Sequence, residues 1–375
     1  MELSSSLSWL ALSLTPGLGA RLLGRLLREF GSPDEAFGGS LTALEACGLP
    51  GGTAQAVVAR VGFSAAQKEI AWAQDLGIQV MHWGESIYPP RLLEIYDPPP
   101  LLYFRGDPQV LRRYSISIVG TRRPTPYGNL MAERLARDLS ARGLLIVSGL
   151  ARGIDCSAHR GACAAARGAT VGILGTGMDV VYPKENRKVF AEVEKSGALI
   201  SEFPLGTHAA PENFPVRNRI VAGMSLGTIV VEGEQYSGSL ITARLAMEFG
   251  REVFGVPGNA TQPTSFAPNQ LIKQGAKLVT GWEDVVEELP TEIRAELFPV
   301  ETPGAGQQES LITESLAPEQ KKLYDLLSTD QPVQVDTLVE KSGMNSSGVL
   351  AALCEMELKG IVRQLPGKQF VRVMF

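Results

Sequence analysis

Four short loops near the middle of the chain have a composition suited to holding an anion: VGTRR (119–123), SGLARG (148–153), LGTGMDVVYPKEN (174–186) and YSGSLITA (236–243). Each follows an apolar run and precedes a helical stretch. Glycine at a strand end allows positive φ and close ligand approach, and the following helix presents unpaired N–H groups with a partial positive charge. The candidate ligands are Gly120, Thr121, Arg122 and Arg123 in the first loop and Ser148, Gly149 and Arg152 in the second. Gly175, Gly177, Lys184 and Asn186 come from the third, Ser237 and Gly238 from the fourth. A fifth segment, PENFPVRNRIVAG (211–223), sets Arg217, Asn218 and Arg219 at the start of an otherwise apolar helix. These arginines read equally as phosphate ligands or as pins to Glu202, Glu212 or Glu232.

Other chemistries find little support in the residues. There is no G-x-x-x-x-G-K-[ST] for nucleoside triphosphates, and GTGMDV (175–180) puts Val180 where a dinucleotide fingerprint needs its third glycine, so no cofactor is expected. His82, His159 and His208 lack metal-ligand spacing, and no catalytic or metal set emerges; His159 follows Asp155 by one helical turn, as in a structural hydrogen bond. Cys47, Cys156, Cys163 and Cys354 form no C-x-x-C pair and read as small buried hydrophobes. No segment is long and apolar enough for a membrane span, which places the chain in the cytoplasm by expectation. The net charge of −5 argues weakly against nucleic acid, yet Arg105, Arg112, Arg113, Arg122 and Arg123 face a single acid, Asp107, between Leu101 and Arg123.

The elements that must position these loops follow from periodicity. Val/Ile/Leu-rich strands at 115–119, 144–148, 170–174, 198–201, 228–231 and 252–256 alternate with helices starting near Tyr127, Asp155, Glu185, Val216, Ser239 and Asn269. That alternation predicts an α/β, Rossmann-like, doubly wound and mainly parallel sheet, whose strand ends gather the loops along one edge. Five regions are expected. Residues 1–62 form a helical domain with two glycine turns, TPGLG and CGLPGG, of helix-hairpin-helix type; 63–110 is a proline-interrupted connector; 111–288 is the core; 289–316 is a flexible linker; and 317–375 is three helices and two strands, a winged helix. The third helix of that last unit carries Glu355 and Glu357 against Lys359, which favours a protein contact unless Arg363, Lys368 and Arg372 of the wing meet DNA.

From 85 to 283 the chain closely resembles the DNA-processing DprA (Smf) family. The motifs are YPPRL, DPPPLLYFRG, IVGTRRPTPYG, VSGLARGIDCSAHRGA, LGTGMDVVYPKEN, ISEFPLG, FPVRNRIVAG, EGEQYSGSLITARLA and VPGN followed by LIKQGA. The resemblance implies a non-enzymatic, homodimeric protein that binds single-stranded DNA entering during natural transformation, protects it, and loads the RecA recombinase. It also implies that the family's DNA-contacting arginine and lysine fall on Arg122 and Lys184. Ala267, Pro268 and Asn269 depart from the family's usual Gly-x-Asn before LIKQGA. Phe203, Tyr127, Tyr182 and Phe214 are the aromatics available to stack on bases. Two competing classes are a nucleotide sensor and a nucleotide N-glycosidase; the second is disfavoured because Thr242 stands where such an enzyme places its carboxylate. The winged helix is the expected site for duplex DNA or another protein.

Overall fold

The computed structural model describes residues 3–298, 316–328, 332–359, 361–365 and 367–372. The chain divides into two units, Met1–Phe298 and Pro299–Phe375.

The first unit opens with helices α1 (Leu3–Ser13), α2 (Ala20–Phe30), α3 (Pro33–Gly38), α4 (Leu41–Ala46), α5 (Gly51–Val58) and α6 (Phe63–Asp75). Leu10, Leu12, Leu26 and Leu44 are wholly buried among them, and cutting any one to alanine would cost about 2–5 kcal/mol. The two glycine turns pack on each other: Gly17, at φ +79°, leaves no room for a side chain beside the Thr53 hydroxyl. The segment read as a connector divides between neighbours. Its helix, α6, packs on α1, while β1 (Gln79–His82) and β2 (Leu101–Gly106) become antiparallel strands at one edge of the main sheet. The prolines at 98–100 therefore end before a true strand begins.

Seven further strands run parallel: β3 (Ser115–Val119), β4 (Leu145–Ser148), β5 (Thr170–Ile173), β6 (Ala198–Ser201), β7 (Gly227–Val230), β8 (Glu252–Gly255) and β9 (Lys277–Leu278). The sheet order is β1-β2-β6-β5-β4-β3-β7-β8-β9. The connecting helices are α7 (Pro126–Ala141), α8 (Ile154–Ala164), α9 (Arg187–Ser196), α10 (Asn213–Met224), α11 (Gly238–Glu248) and α12 (Phe266–Lys273), followed by α13 (Trp282–Glu287) and α14 (Thr291–Leu297). Period-two alternation sends Ile116, Ile118 and Ile146 to one face, against α7 and α8, and Leu145, Val147 and Val171 to the other, against α10 and α11. Both faces are covered, so the strands are mainly apolar, and buried hydroxyls such as Ser117, Thr228 and Ser148 bond within the sheet. The order reverses between β3 and β7, and a crevice opens at their carboxyl ends.

Helix α14 begins inside the stretch expected to be a linker. Ile293 is buried in the core of the first unit, so the chain stays packed to Leu297; most of the remaining expected linker, 299–315, lies outside the described residues. The second unit has α15 (Pro318–Leu326), α16 (Val335–Ser342), α17 (Ser346–Leu358) and the hairpin β11 (Val362–Leu365) with β12 (Gln369–Arg372). A short strand the sequence did not announce, β10 (Val333–Gln334), pairs with β12. Cys354 is exposed on α17 rather than buried. Arg372, expected at the wing surface, donates to the Tyr324 carbonyl at 2.9 Å and lies over the Tyr324 ring.

Among the described residues no helix is long and apolar enough to cross a membrane.

Candidate functional site

The crevice at the sheet reversal is a cavity of about 1110 Å³. One wall is the β3–α7 loop. The Thr121 amide donates to the Glu232 carbonyl at 2.7 Å, and the Ile154 amide donates to the Thr121 carbonyl at 3.2 Å, which fixes the loop's backbone between β7 and α8. Arg122 and Arg123 leave it exposed. The Arg122 guanidinium carbon sits 5.3 Å from the centre of the Phe214 ring, and Tyr182 packs on the same ring from 5.6 Å. A cation and two aromatics thus form one platform on the rim, suited to a phosphate beside a base.

Beneath the rim lie two buried charges of opposite sign, each held by backbone groups rather than by the other. The Asp155 carboxylate accepts from the Gly149 amide at 3.1 Å and from the Ala151 amide at 3.4 Å. Arg217 donates to the Gly149 carbonyl at 2.5 Å and to the Ile173 carbonyl, joining the ends of β4 and β5. Burial pushes the Asp155 carboxyl up, while Arg217 and the two amides pull it back. Burial brings the Arg217 guanidinium down to about 10, with Asp155 opposing, so it stays charged at neutral pH. Arg217 is 5% exposed: its charge serves the strand ends first and reaches the cavity only as floor.

Arg219, expected among the DNA ligands, is displaced from that role. It is buried, its guanidinium donates to Glu202 at 2.5 Å, and it lies 3.4 Å from Asp97. The helical repeat turns residues 217 and 219 to different sides of α10. Asn186 is likewise buried, its side-chain amide donating to the Leu150 and Ala151 carbonyls at 2.9 and 3.2 Å. That brace holds Leu150 at φ 53°, a left-handed conformation costly for leucine. The Ser148 hydroxyl donates to the Ile118 carbonyl at 2.6 Å inside the sheet. Gly177 is wedged beneath the Pro204 carbonyl and the Asp179 carboxylate.

The remaining candidates converge, except Lys184, which is exposed but lines none of these cavities. Gly120, Thr121, Arg122, Arg123, Gly149, Arg217, Asn218, Ser237 and Gly238 all line the large cavity. Arg152 and Gly175 line an adjoining pocket with Arg122, Tyr182 and Phe214; Arg152 is ion-paired to Glu185. Lys184 is exposed at the start of the turn that follows Tyr182 and Pro183. Gly149 and Gly120 act through space, whereas Gly153 of the second loop takes a positive φ of 76°. A side chain at Gly149 would strike the Arg217 guanidinium, and one at Gly120 would strike Ile154 and the Glu232 carbonyl.

Of the four aromatics, Tyr182 and Phe214 line the cavity. Tyr127 faces a separate one, and Phe203 lines neither. Sequence reasoning missed the opposite wall, where Glu234, Tyr236, Ile241 and Phe266 stand beside Ser237 and Gly238, with Tyr236 93% exposed. An aromatic directly before Ser-Gly was the available signal. The Thr242 hydroxyl is within 3.4 Å of the Gly238 carbonyl of its own helix, leaving no carboxylate at that position. His159 bonds Thr170 rather than Asp155, 2.7 Å away through Nδ1. Among the described residues no cluster of His, Cys, Asp and Glu could hold a metal.

Residues 79–290 match the family model of DNA recombination-mediator protein A, and residues 307–368 match that of the DprA winged helix domain. Protein Smf of Escherichia coli is 35% identical over 80% of this chain and 79% of its own length. The DNA processing protein DprA of Bacillus subtilis is 44% identical over 59% of this chain and 74% of its own. The crystal structure of DNA processing protein A from Streptococcus pneumoniae superposes with a TM-score of 0.69 at 32% identity, covering 76% of this chain and 98% of that one. A Helicobacter pylori DNA processing protein A structure, described by its single-stranded DNA binding mode, superposes with a TM-score of 0.51 at 30% identity, covering 56% and 94%.

Proposed function

We propose that this chain, which belongs to the DNA recombination-mediator protein A family, holds single-stranded DNA in the cavity at the β3–β7 reversal. It protects the strand there and passes it to a RecA-type recombinase during natural transformation, acting as a homodimer without catalysing a reaction. The observation that carries the reading is the Arg122–Phe214–Tyr182 platform: an exposed guanidinium fixed over an aromatic ring, with Lys184 two residues beyond Tyr182. Phosphates of a flexible strand meet the two cations while a base lies on the rings. The single-strand binding mode described for the Helicobacter pylori relative supports the same reading. The winged helix takes a protein partner or duplex DNA.

Fluorescence anisotropy with labelled single strands at several salt concentrations tests it. Affinity falls with salt, each phosphate contact adding about 0.7 to the logarithmic slope. Binding confined to NAD or AMP, with none to oligonucleotides, would overturn it in favour of a nucleotide sensor.

A further inference from the structure

A second cavity, of about 580 Å³, opens on the other side of the same wall. Three loops build that wall, and each shows one part to either side. Thr121–Arg123 face the large cavity while Thr125 and Tyr127 face the smaller one; Glu234 and Glu232 divide in the same way, as do Pro263 and Thr264. The Pro263–Ser265 turn, whose Pro263 lines the large cavity and whose Thr264 and Ser265 line the smaller one, stands between them.

The smaller cavity has the opposite chemistry. Among the described residues no lysine or arginine lines it. Glu232 is buried on its wall, accepting from the Thr125 amide at 2.9 Å and the Thr125 hydroxyl at 2.6 Å, with lone pairs to spare. The Thr264 hydroxyl oxygen is buried with no partner among the described residues. Asn259 and Gln262 add amide groups, and the Tyr127 hydroxyl donates to the Pro257 carbonyl at 2.9 Å, fixing the half-exposed ring at the mouth. A phosphate entering here meets a buried carboxylate and no cation, which costs free energy. A base with an exocyclic amine brings N–H donors to the acceptors and a π-face to Tyr127.

Resting on the single-strand reading above, we propose that this cavity receives one base of the bound strand and favours a base carrying an exocyclic amine. Cytosine and thymine test it, since both are pyrimidines of similar size that differ at C4, amine against carbonyl, and beside it in the N3 proton and the C5 methyl. Binding of oligocytidylate and oligothymidylate is compared at two lengths, about 4 nucleotides, enough for the large cavity alone, and about 12, enough to cross the turn. The long cytidylate binds about fivefold tighter than the long thymidylate; the short pair bind alike. Gln262→Trp, which fills the mouth from an exposed position, and Thr264→Val, which removes the hydroxyl at constant shape, abolish the preference and leave thymidylate affinity unchanged. Equal affinity of the long pair, a preference surviving both variants, or a preference already present in the short pair overturns the proposal. Arg122→Ala separates the two readings, because it weakens all four oligomers whatever happens at the second cavity.

Discussion

The guanidinium of Arg122 rests against the ring of Phe214, 5.3 Å from its centre, although one lies on the β3–α7 loop and the other in the first turn of α10. Arg122 ends its excursion over a ring that Tyr182 also packs against, from the loop after β5. The aromatic surface removes part of the rotamer freedom that an exposed arginine would lose on binding. A preset cation costs less to engage than a mobile one.

Replacing Arg122 with alanine should therefore weaken single-strand binding at least tenfold and lower the salt slope by about 0.7. Replacing Lys184 should lower the slope by a similar step. Titrations at several ionic strengths measure both; an isotherm unchanged by Arg122→Ala would remove the arginine from the interface.

The buried Arg217 predicts a different kind of loss. Arg217→Met leaves two strand-end carbonyls without their donor and removes a positive charge that favours the ionised Asp155, at a cost of about 2–4 kcal/mol. Urea unfolding would report it. Stability within about 1 kcal/mol of the parent, the size of one hydrogen bond, would deny Arg217 its structural role.

Arg219→Met should also destabilise, through Glu202 and Asp97, yet the DNA salt slope of the folded variant should stay at the parent value. A slope reduced by a full phosphate contact, about 0.7, would return Arg219 to the interface.

Acidity acts through two buried groups of opposite sign. Burial raises the Glu202 carboxyl from 4.5 to about 6, with Arg219 opposing and Asp97 adding to the shift. Its contribution is fully present below pH 4.5 and is lost as pH rises through 6. Burial lowers His159 from 6.5 to about 3, helped by Arg217; that contribution is present above pH 6.5 and is lost as pH falls toward 3. Between pH 4.5 and 6 the two partly cancel. Glu202→Gln removes one side, so its stability relative to the parent should rise by about 2 kcal/mol across that window. Urea midpoints measured through the window check the sign, and a parallel pair of profiles would refute it.

Deleting residues 299–375 removes the whole second unit. The Arg122 platform and both cavities belong to the first, so the truncated protein should fold and keep single-strand affinity within about threefold, the size of a surface perturbation of some 0.5 kcal/mol. Loss of most binding with the sheet intact would move the principal site to the winged helix.

The alternation of apolar strands and helices was legible in the sequence because each strand is buried on both faces and each helix must cover one. The loops at the strand ends were legible for the same reason: a parallel sheet delivers every carboxyl end to one edge. What the sequence could not decide was which polar side chains at that edge face outward. Arg217, Asn218 and Arg219 are consecutive, yet one caps two strand ends, one lines the cavity and one is locked to Glu202 and Asp97. The carbonyls and carboxylates that hold the two arginines are remote in sequence. Asn186 and Ser148 were absorbed in the same way, by carbonyls that only the folded sheet brings near. Residue type and spacing fixed where charge gathers, because they depend on local periodicity; which charges remain free depended on long-range packing, and the tertiary structure alone set that.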